Sequence, residues 1–332
     1  MFELHHLSAQ EQWDWLQRGD VTPAELAVHY LRRIEAHDAE LGAFARVDAD
    51  AVLDRVRRLS DLPRSAELWG IPYAEKELAP RAGSVWTSAS QAFAGRIAEE
   101  TDPLIARLDA AGAVSLGSTA APEFGFPSYT EPAGRPAARN PYDPSLGAGG
   151  SSGGAAVAVA AGLLPVAPGT DGGGSVRIPA AATGLVGLKP TRRLVAAEPE
   201  SLGGLVVAGP LARSVADAAM LLDAMVARTG DALEAPGTLR PPDPGRLLGA
   251  AVRGEGRYVV GATTQSPWDD AYDVVVSPEA LAVFSEARDA LAALGHGVED
   301  AGLPDSRAYP GAFRVLWQAG ASGLPLDEDQ LA

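Results

Sequence analysis

GAGGSSGGAAVAVAAGLLPVAPGTDGGGSVRIPAA occupies residues 147–181. Two glycine–serine segments, 147–154 and 171–175, bracket an alanine/valine run and the apolar tract LLPVA. Glycine inside a helix or strand costs roughly 0.5–1 kcal/mol relative to alanine, so Gly172, Gly173 and Gly174 ahead of Ser175 need a reason. A flexible linker would be polar throughout and flanked by shifts in composition. Here residues 153–161 read as a small-residue helix and 163–167 as a buried strand. Both glycine segments therefore sit inside one packed α/β unit.

The same alternation extends outward. Thr22, Pro23, Ala24 and Glu25 form a capping box with proline at the first helical position. The helix they open carries Leu26, Tyr30, Leu31 and Ile34 on one face. Residues 48–59 predict a second helix, and 70–76 a short strand that ends on Lys76. Asp102 and Pro103 start a helix that stops at Gly112, and a strand follows at 113–116. Ser214 caps a helix over 215–227. A proline- and glycine-rich stretch, 236–245, is the best candidate for a flexible connection. A strand (258–262), a helix from Ser277 to Gly295, a strand (297–300) and a helical segment holding Phe313, Leu316 and Trp317 complete the pattern. Tracts such as LLPVA and RYVVGA are apolar on both faces, as central strands of a covered sheet would be. The expected class is α/β, with helices on both faces of a sheet.

Composition narrows the function. The chain has 332 residues, 46% of them hydrophobic, a formal net charge of −16 and no cysteine. The acidity argues against nucleic acid or an anionic membrane as partner. The missing cysteine removes thiol catalysis, disulfides and zinc–thiolate sites. The start, MFELHHLSAQEQW, lacks the basic and apolar regions of a signal peptide, and the weakly polar run 155–168 is too short to span a bilayer. A soluble cytoplasmic protein is expected. Only two of the 27 basic residues are lysines, Lys76 and Lys189. In a chain that otherwise uses arginine, a lysine stands out, because lysine can lose its proton when buried and act as a base.

Three chemistries could use the glycine–serine segments. A phosphate cradle fails, since neither the Gly-Lys-Ser/Thr end of a P-loop nor the dinucleotide glycine spacing is present. Residues 149–153 fit the G-x-S-x-G elbow of α/β-hydrolases around Ser151. That mechanism needs a later histidine, and only His296 follows. The third option pairs a serine with a lysine base. Burial at the end of the apolar strand GIPYAE would lower the pKa of Lys76. Glu75 and Glu77 flank it, and on a strand they point away from it. A glycine run would then present consecutive backbone N–H groups to the oxyanion formed in acyl transfer.

With these residues in view, the sequence resembles the amidase signature family. The similarity runs in order through GIPYAEKE, DPLIARLDAAGAVSLGST, APEF, RNPYDP, the segment 147–191 and GPLARSVADAAMLLDAM. It covers most of residues 20–227 and continues more weakly to about 320. The resemblance implies an α/β/α sandwich with a mixed central sheet covered by helices on both faces. The implied layout is one amidase-like domain over 1–332. It has a helical region to about 65, a catalytic core over about 66–230 and a shorter α/β part over about 247–332. It implies Ser175 as nucleophile, Ser151, after a cis peptide bond, as proton relay, and Lys76 as base. The backbone amides of Gly172, Gly173, Gly174 and Ser175 become the oxyanion hole. Asp171 and Arg177 become a structural pair around the loop, Ser152 a supporting residue within the turn, and Lys189 the holder of a loop or helix end. No cofactor or metal is implied. The partner is a small-molecule amide, and a homodimer is held open.

The chain departs from the family pattern at three places. Glu77 stands where aspartate is usual, Gly172 where threonine is, and GSTA at 117–120 where GKTN is. Family members usually continue beyond this length, so a C-terminally truncated member is expected. Hydrolysis of a carboxamide to acid and amine or ammonia is the leading reading. The alternatives are the glutaminase subunit of a tRNA-dependent amidotransferase, an inactive amidase-like scaffold, and an esterase using Ser151 and His296. The glutaminases usually carry glutamine where this chain has Ile178.

Overall fold

In the computed structural model, two capping boxes set the N-terminal helices. Ser8 Oγ accepts from the Glu11 N–H, and the Glu11 carboxylate accepts from the Ser8 N–H, starting α1 (Ala9–Arg18). Thr22 and Glu25 repeat the pattern at α2 (Pro23–Leu41), with Pro23 at its first position. Each cap is worth about 1 kcal/mol. α2 buries Leu26, Ala27, Tyr30 and Ile34, while Leu31 is half-buried. SAQE at 8–11 carries the same capping signal as TPAE at 22–25, so α1 is as legible in the sequence as α2.

The structure describes residues 3–195, 201–226, 247–254, 256–324 and 326. They fall into two compact units, Met1–Val252 and Arg253–Ala332. After α2 the chain runs through β1 (Phe44–Val47), α3 (Ala49–Arg58), β2 (Pro72–Lys76), α4 (Pro103–Ala110) and β3 (Val114–Thr119). Next come β4 (Arg139–Asn140), β5 (Asp143–Gly147), α5 (Gly153–Ala160), β6 (Val166–Asp171) and α6 (Arg177–Ala182). β7 (Val186–Gly187), β8 (Val207–Ala212), α7 (Val215–Met225) and α8 (Leu247–Arg253) follow. The proposed connection at 236–245 lies outside the described residues.

The pairing in the first unit is mixed. β3 runs antiparallel to β1 and parallel to β2. β8 runs antiparallel to both β6 and β7. β2 and β6 lie against each other, which brings the end of one strand to the end of the other. α3 packs on β3, α5 on β6 and β8, and α7 on β8. Tyr30, Ile71, Tyr73, Leu108, Leu116, Leu163, Leu164 and Leu211 are fully buried. Every residue of α5 from Gly153 to Val159 is buried as well, so this helix has no polar face and runs through the core.

One strand differs from expectation. LLPVA does not form the strand itself: the N–H groups of Leu163 and Leu164 both donate to the Ala158 carbonyl, at 2.7 and 3.0 Å, and close the end of α5. Pro165 then has no N–H to give to a ladder. The strand starts at Val166 and runs through Pro168, Gly169 and Thr170 to Asp171, in register with β8 throughout. The glycine run therefore begins directly off a strand end.

The second unit holds β9 (Val259–Ala262), α9 (Pro278–Ala293), β10 (Gly297–Asp300) and α10 (Tyr309–Ser322). Ser277 caps α9 by accepting from the Ala280 N–H, with Pro278 at the first position. β9 pairs in parallel with β10. RYVVGA is not a strand covered on both faces: Val259 is 72% exposed, and exposed and half-buried residues alternate along β9. Among the described residues β10 is its single neighbour in the sheet, so an apolar tract alone overstated its burial. No described helix is long and apolar enough to cross a membrane.

Candidate active site

β2 delivers Lys76 into the core. All five of its residues are buried, and Lys76 itself is 2% exposed. The Lys76 Nζ donates to three hydroxyls: Ser151 Oγ at 2.8 Å, Thr170 Oγ1 at 2.9 Å and Ser152 Oγ at 3.0 Å. None of these partners carries charge. Burial therefore dominates and brings the lysine pKa down from 10.5 to about 7, against the opposing fields of Asp171 and Glu77. An amine poised near neutrality can give and take a proton at modest cost.

The two serines come from the segment ahead of α5. The Gly150–Ser151 peptide is cis. A Cβ on Gly150 would stand 2.7 Å from the Tyr129 carbonyl carbon and oxygen, so the backbone passes there only as glycine. Thr130 clamps the same turn, donating to the Gly149 carbonyl at 2.9 Å and accepting from the Gly153 N–H at 3.2 Å. Ser152 Oγ accepts from the Thr170 N–H and donates to the Thr170 carbonyl, both at 3.3 Å. The Ser152 N–H donates to the Ser175 carbonyl at 3.1 Å, joining the two glycine segments through their backbones.

Asp171 shapes the loop that carries Ser175. Its carboxylate is fully buried and accepts from the N–H groups of Gly174 (2.8 Å), Val176 (3.2 Å) and Arg177 (3.4 Å). The Arg177 guanidinium adds a bidentate pair at 2.9 and 2.8 Å. Burial would raise the Asp171 pKa, but Arg177 and the amides together hold it below 3.8. Gly174 sits at φ +122°, a backbone region open to glycine and little else. Its N–H is engaged by Asp171. Of the four expected oxyanion donors, Gly174 therefore has another partner, which leaves Gly172, Gly173 and Ser175.

The flanking acids face other partners. Glu75 binds Arg81 at 2.8 Å and Ser115 Oγ at 2.6 Å. Glu77 accepts from the Ala121 N–H and from Arg135, both at 2.8 Å. Lys189 lies elsewhere and donates to the Pro190 carbonyl at 2.8 Å. His296, in the second unit, accepts from the Tyr258 N–H at 3.2 Å and stacks on the Tyr258 ring. Among the described residues no group of three or more histidines and carboxylates is placed to hold a metal ion. The sequence reading missed Thr170 and Thr130 and gave Ser152 only an internal role. No local sequence pattern marks Thr170, which reaches Lys76 because β6 lies against β2.

This arrangement sits within a match to the family model named Amidase, which covers residues 25–325. The chain belongs to the amidase family. AmiB2 of Mycobacterium tuberculosis is 40% identical over 305 residues, covering 89% of this chain and 62% of that protein. A glutamyl-tRNA(Gln) amidotransferase subunit from Aromatoleum aromaticum is 36% identical, over 92% of this chain and 63% of its own length. The solved structure of 6-aminohexanoate cyclic dimer hydrolase with substrate aligns with TM-score 0.83 at 33% identity, covering 99% of this chain and 70% of that one. This member of the amidase family thus spans about three fifths of the length of the curated relatives it matches.

Proposed function

We propose that the chain hydrolyses a carboxamide to a carboxylic acid and an amine or ammonia through an acyl-enzyme on Ser175. The observation that carries this reading is a buried Lys76 whose pKa is brought to about 7 and whose Nζ hydrogen-bonds Ser151. Unprotonated Lys76 takes the Ser151 proton while Ser151 takes that of Ser175. The Ser175 Oγ bonds to the amide carbon, and the carbonyl electron pair moves onto oxygen. That oxyanion meets the N–H groups of Gly172, Gly173 and Ser175. When it collapses, the C–N bond breaks, and Lys76 returns its proton through Ser151 to the leaving nitrogen. Water then cleaves the ester and frees Ser175.

A fluorophosphonate that esterifies active serines tests the assignment without knowledge of the substrate. The wild-type chain should label at Ser175, and Ser175→Ala should not. Labelling that persists in Ser175→Ala would overturn the reading, and an unlabelled wild type would favour the inactive scaffold. His296→Ala should label at the wild-type rate, which separates this mechanism from an esterase using Ser151 and His296. A panel of amides, with Ser175→Ala as control, then finds the substrate.

The likeness to an amidotransferase component supports a second reading, release of ammonia from glutamine. Against it stands Ile178, an aliphatic side chain 38% exposed and packed beside Gly174, which offers no hydrogen bond to a polar substrate. Release of ammonia from glutamine, absent in Ser175→Ala, would select this reading.

A further inference from the structure

The carboxylates around Lys76 pose a problem for a base. Among the described residues two acids bear on its amine: Asp171, from the end of β6, and Glu77, the next residue along the chain. Both stabilise the ammonium form and so oppose a base. Each is matched by its own arginine. Arg177 holds Asp171 by two hydrogen bonds. Arg135, 58 residues away in sequence, holds both oxygens of Glu77 at 2.8 and 2.9 Å. The Ala121 N–H adds a further donor to Glu77. The serine segment ahead of α5 brings only hydroxyls to Nζ. Among the described residues the charged groups bearing on the amine are thus Asp171, paired with Arg177, and Glu77, paired with Arg135.

Glu77 is 8% exposed and Arg135 about a quarter exposed at its side chain. A pair so placed is screened far less by salt and water than a surface pair.

We propose that Arg135 is a positioning residue for the base: by pairing with Glu77 it offsets part of the second negative charge beside Lys76 and helps the amine to accept a proton. Arg135 touches none of the reacting atoms and acts through Glu77. The inference rests on the reading of Lys76 as the base.

The test is the pH dependence of the rate at which a fluorophosphonate labels Ser175, from pH 5.5 to 10. Wild type should rise through a midpoint near the lysine value. In Arg135→Met the unpaired Glu77 should move the midpoint up by about one unit. Labelling would then slow roughly tenfold at pH 6 and remain unchanged at pH 10. Glu77→Gln should move it down, Arg135→Lys should keep the wild-type midpoint, and Glu77→Gln/Arg135→Met, with neither charge, should lie between Glu77→Gln and wild type. A midpoint that stays fixed in Arg135→Met while the rate drops equally at every pH would overturn the proposal, as would a double variant that behaves like Arg135→Met. If Arg135→Met does not fold, an unshifted midpoint in Glu77→Gln overturns it equally. A wild-type rate without a pH step, or a step that survives in Lys76→Met, instead overturns the reading of Lys76 on which the proposal rests.

Discussion

Ser152 and Thr170 hold each other by two hydrogen bonds, Oγ to the Thr170 N–H and Oγ to the Thr170 carbonyl, each 3.3 Å long. The Ser152 hydroxyl proton is therefore committed to a carbonyl, and toward Lys76 this oxygen can only accept. An acceptor fixed in this way favours the ammonium form.

Ser152→Ala should consequently move the pH midpoint of Ser175 labelling below its wild-type position. It should also slow labelling at high pH by about tenfold, equivalent to about 1.4 kcal/mol of lost positioning. Chemical denaturation should show a stability loss of about 1–3 kcal/mol from the unmatched Thr170 groups. A midpoint that rises would contradict this role for Ser152.

Lys76→Met separates the lysine charge from its packing. The native pKa lies at about 7, below the ordinary 10.5, so the unfolded chain binds the extra proton between those values. Stability then rises with pH across that window, and the cost of burying the ammonium is fully present below pH 7. The stability of Lys76→Met relative to wild type should be about 3–5 kcal/mol more favourable at pH 6 than at pH 10.5. Denaturant midpoints at the two pH values measure it, and equal differences at both would refute it.

Asp171→Asn removes the charge that gathers three amides and Arg177. Arg177 is half exposed, so the expected stability loss is about 2–3 kcal/mol rather than the full value of a buried pair. Because the native Asp171 pKa lies below 3.8, its contribution is present above that value and lost as pH falls through the lower native value. The variant should show a flatter acid limb in urea unfolding, together with strongly reduced labelling of Ser175.

Gly174→Ala should cut labelling by tenfold or more and cost about 1–3 kcal/mol of stability through its φ of +122°. A new Cβ would also approach Ile178 Cδ1 at 2.9 Å, at the end of a side chain able to turn away. Adding Ile178→Ala should therefore fail to rescue the variant. Full rescue would show that crowding, not backbone geometry, was the cause.

Much of the fold is legible where a local rule acts alone. Thr22 with Glu25, and Ser277 with Pro278, mark helix starts because the caps satisfy amides that nothing else reaches. The strand after α5 is less legible. Leu163 and Leu164 look like strand residues, yet their amides finish the helix, and pairing with β8 decides where β6 begins. Val259 shows the same limit, since burial depends on a neighbour that hydropathy does not name. Lys76, Ser151 and Ser175 could be picked out because each lies in a distinctive local pattern. Thr170 and Arg135 could not, since both act through contacts between segments distant in sequence.

The link between the Ser152 N–H and the Ser175 carbonyl uses no side-chain atom. Exchanging either serine for alanine deletes a hydroxyl and leaves this staple in place. Hydroxyl-deletion variants thus keep the backbone link between the two glycine segments. Substitutions that bend the chain at Gly150 or Gly174 alter the link itself. The two classes of variant should differ in hydrogen exchange at the Ser152 amide, which stays protected in the first and opens in the second.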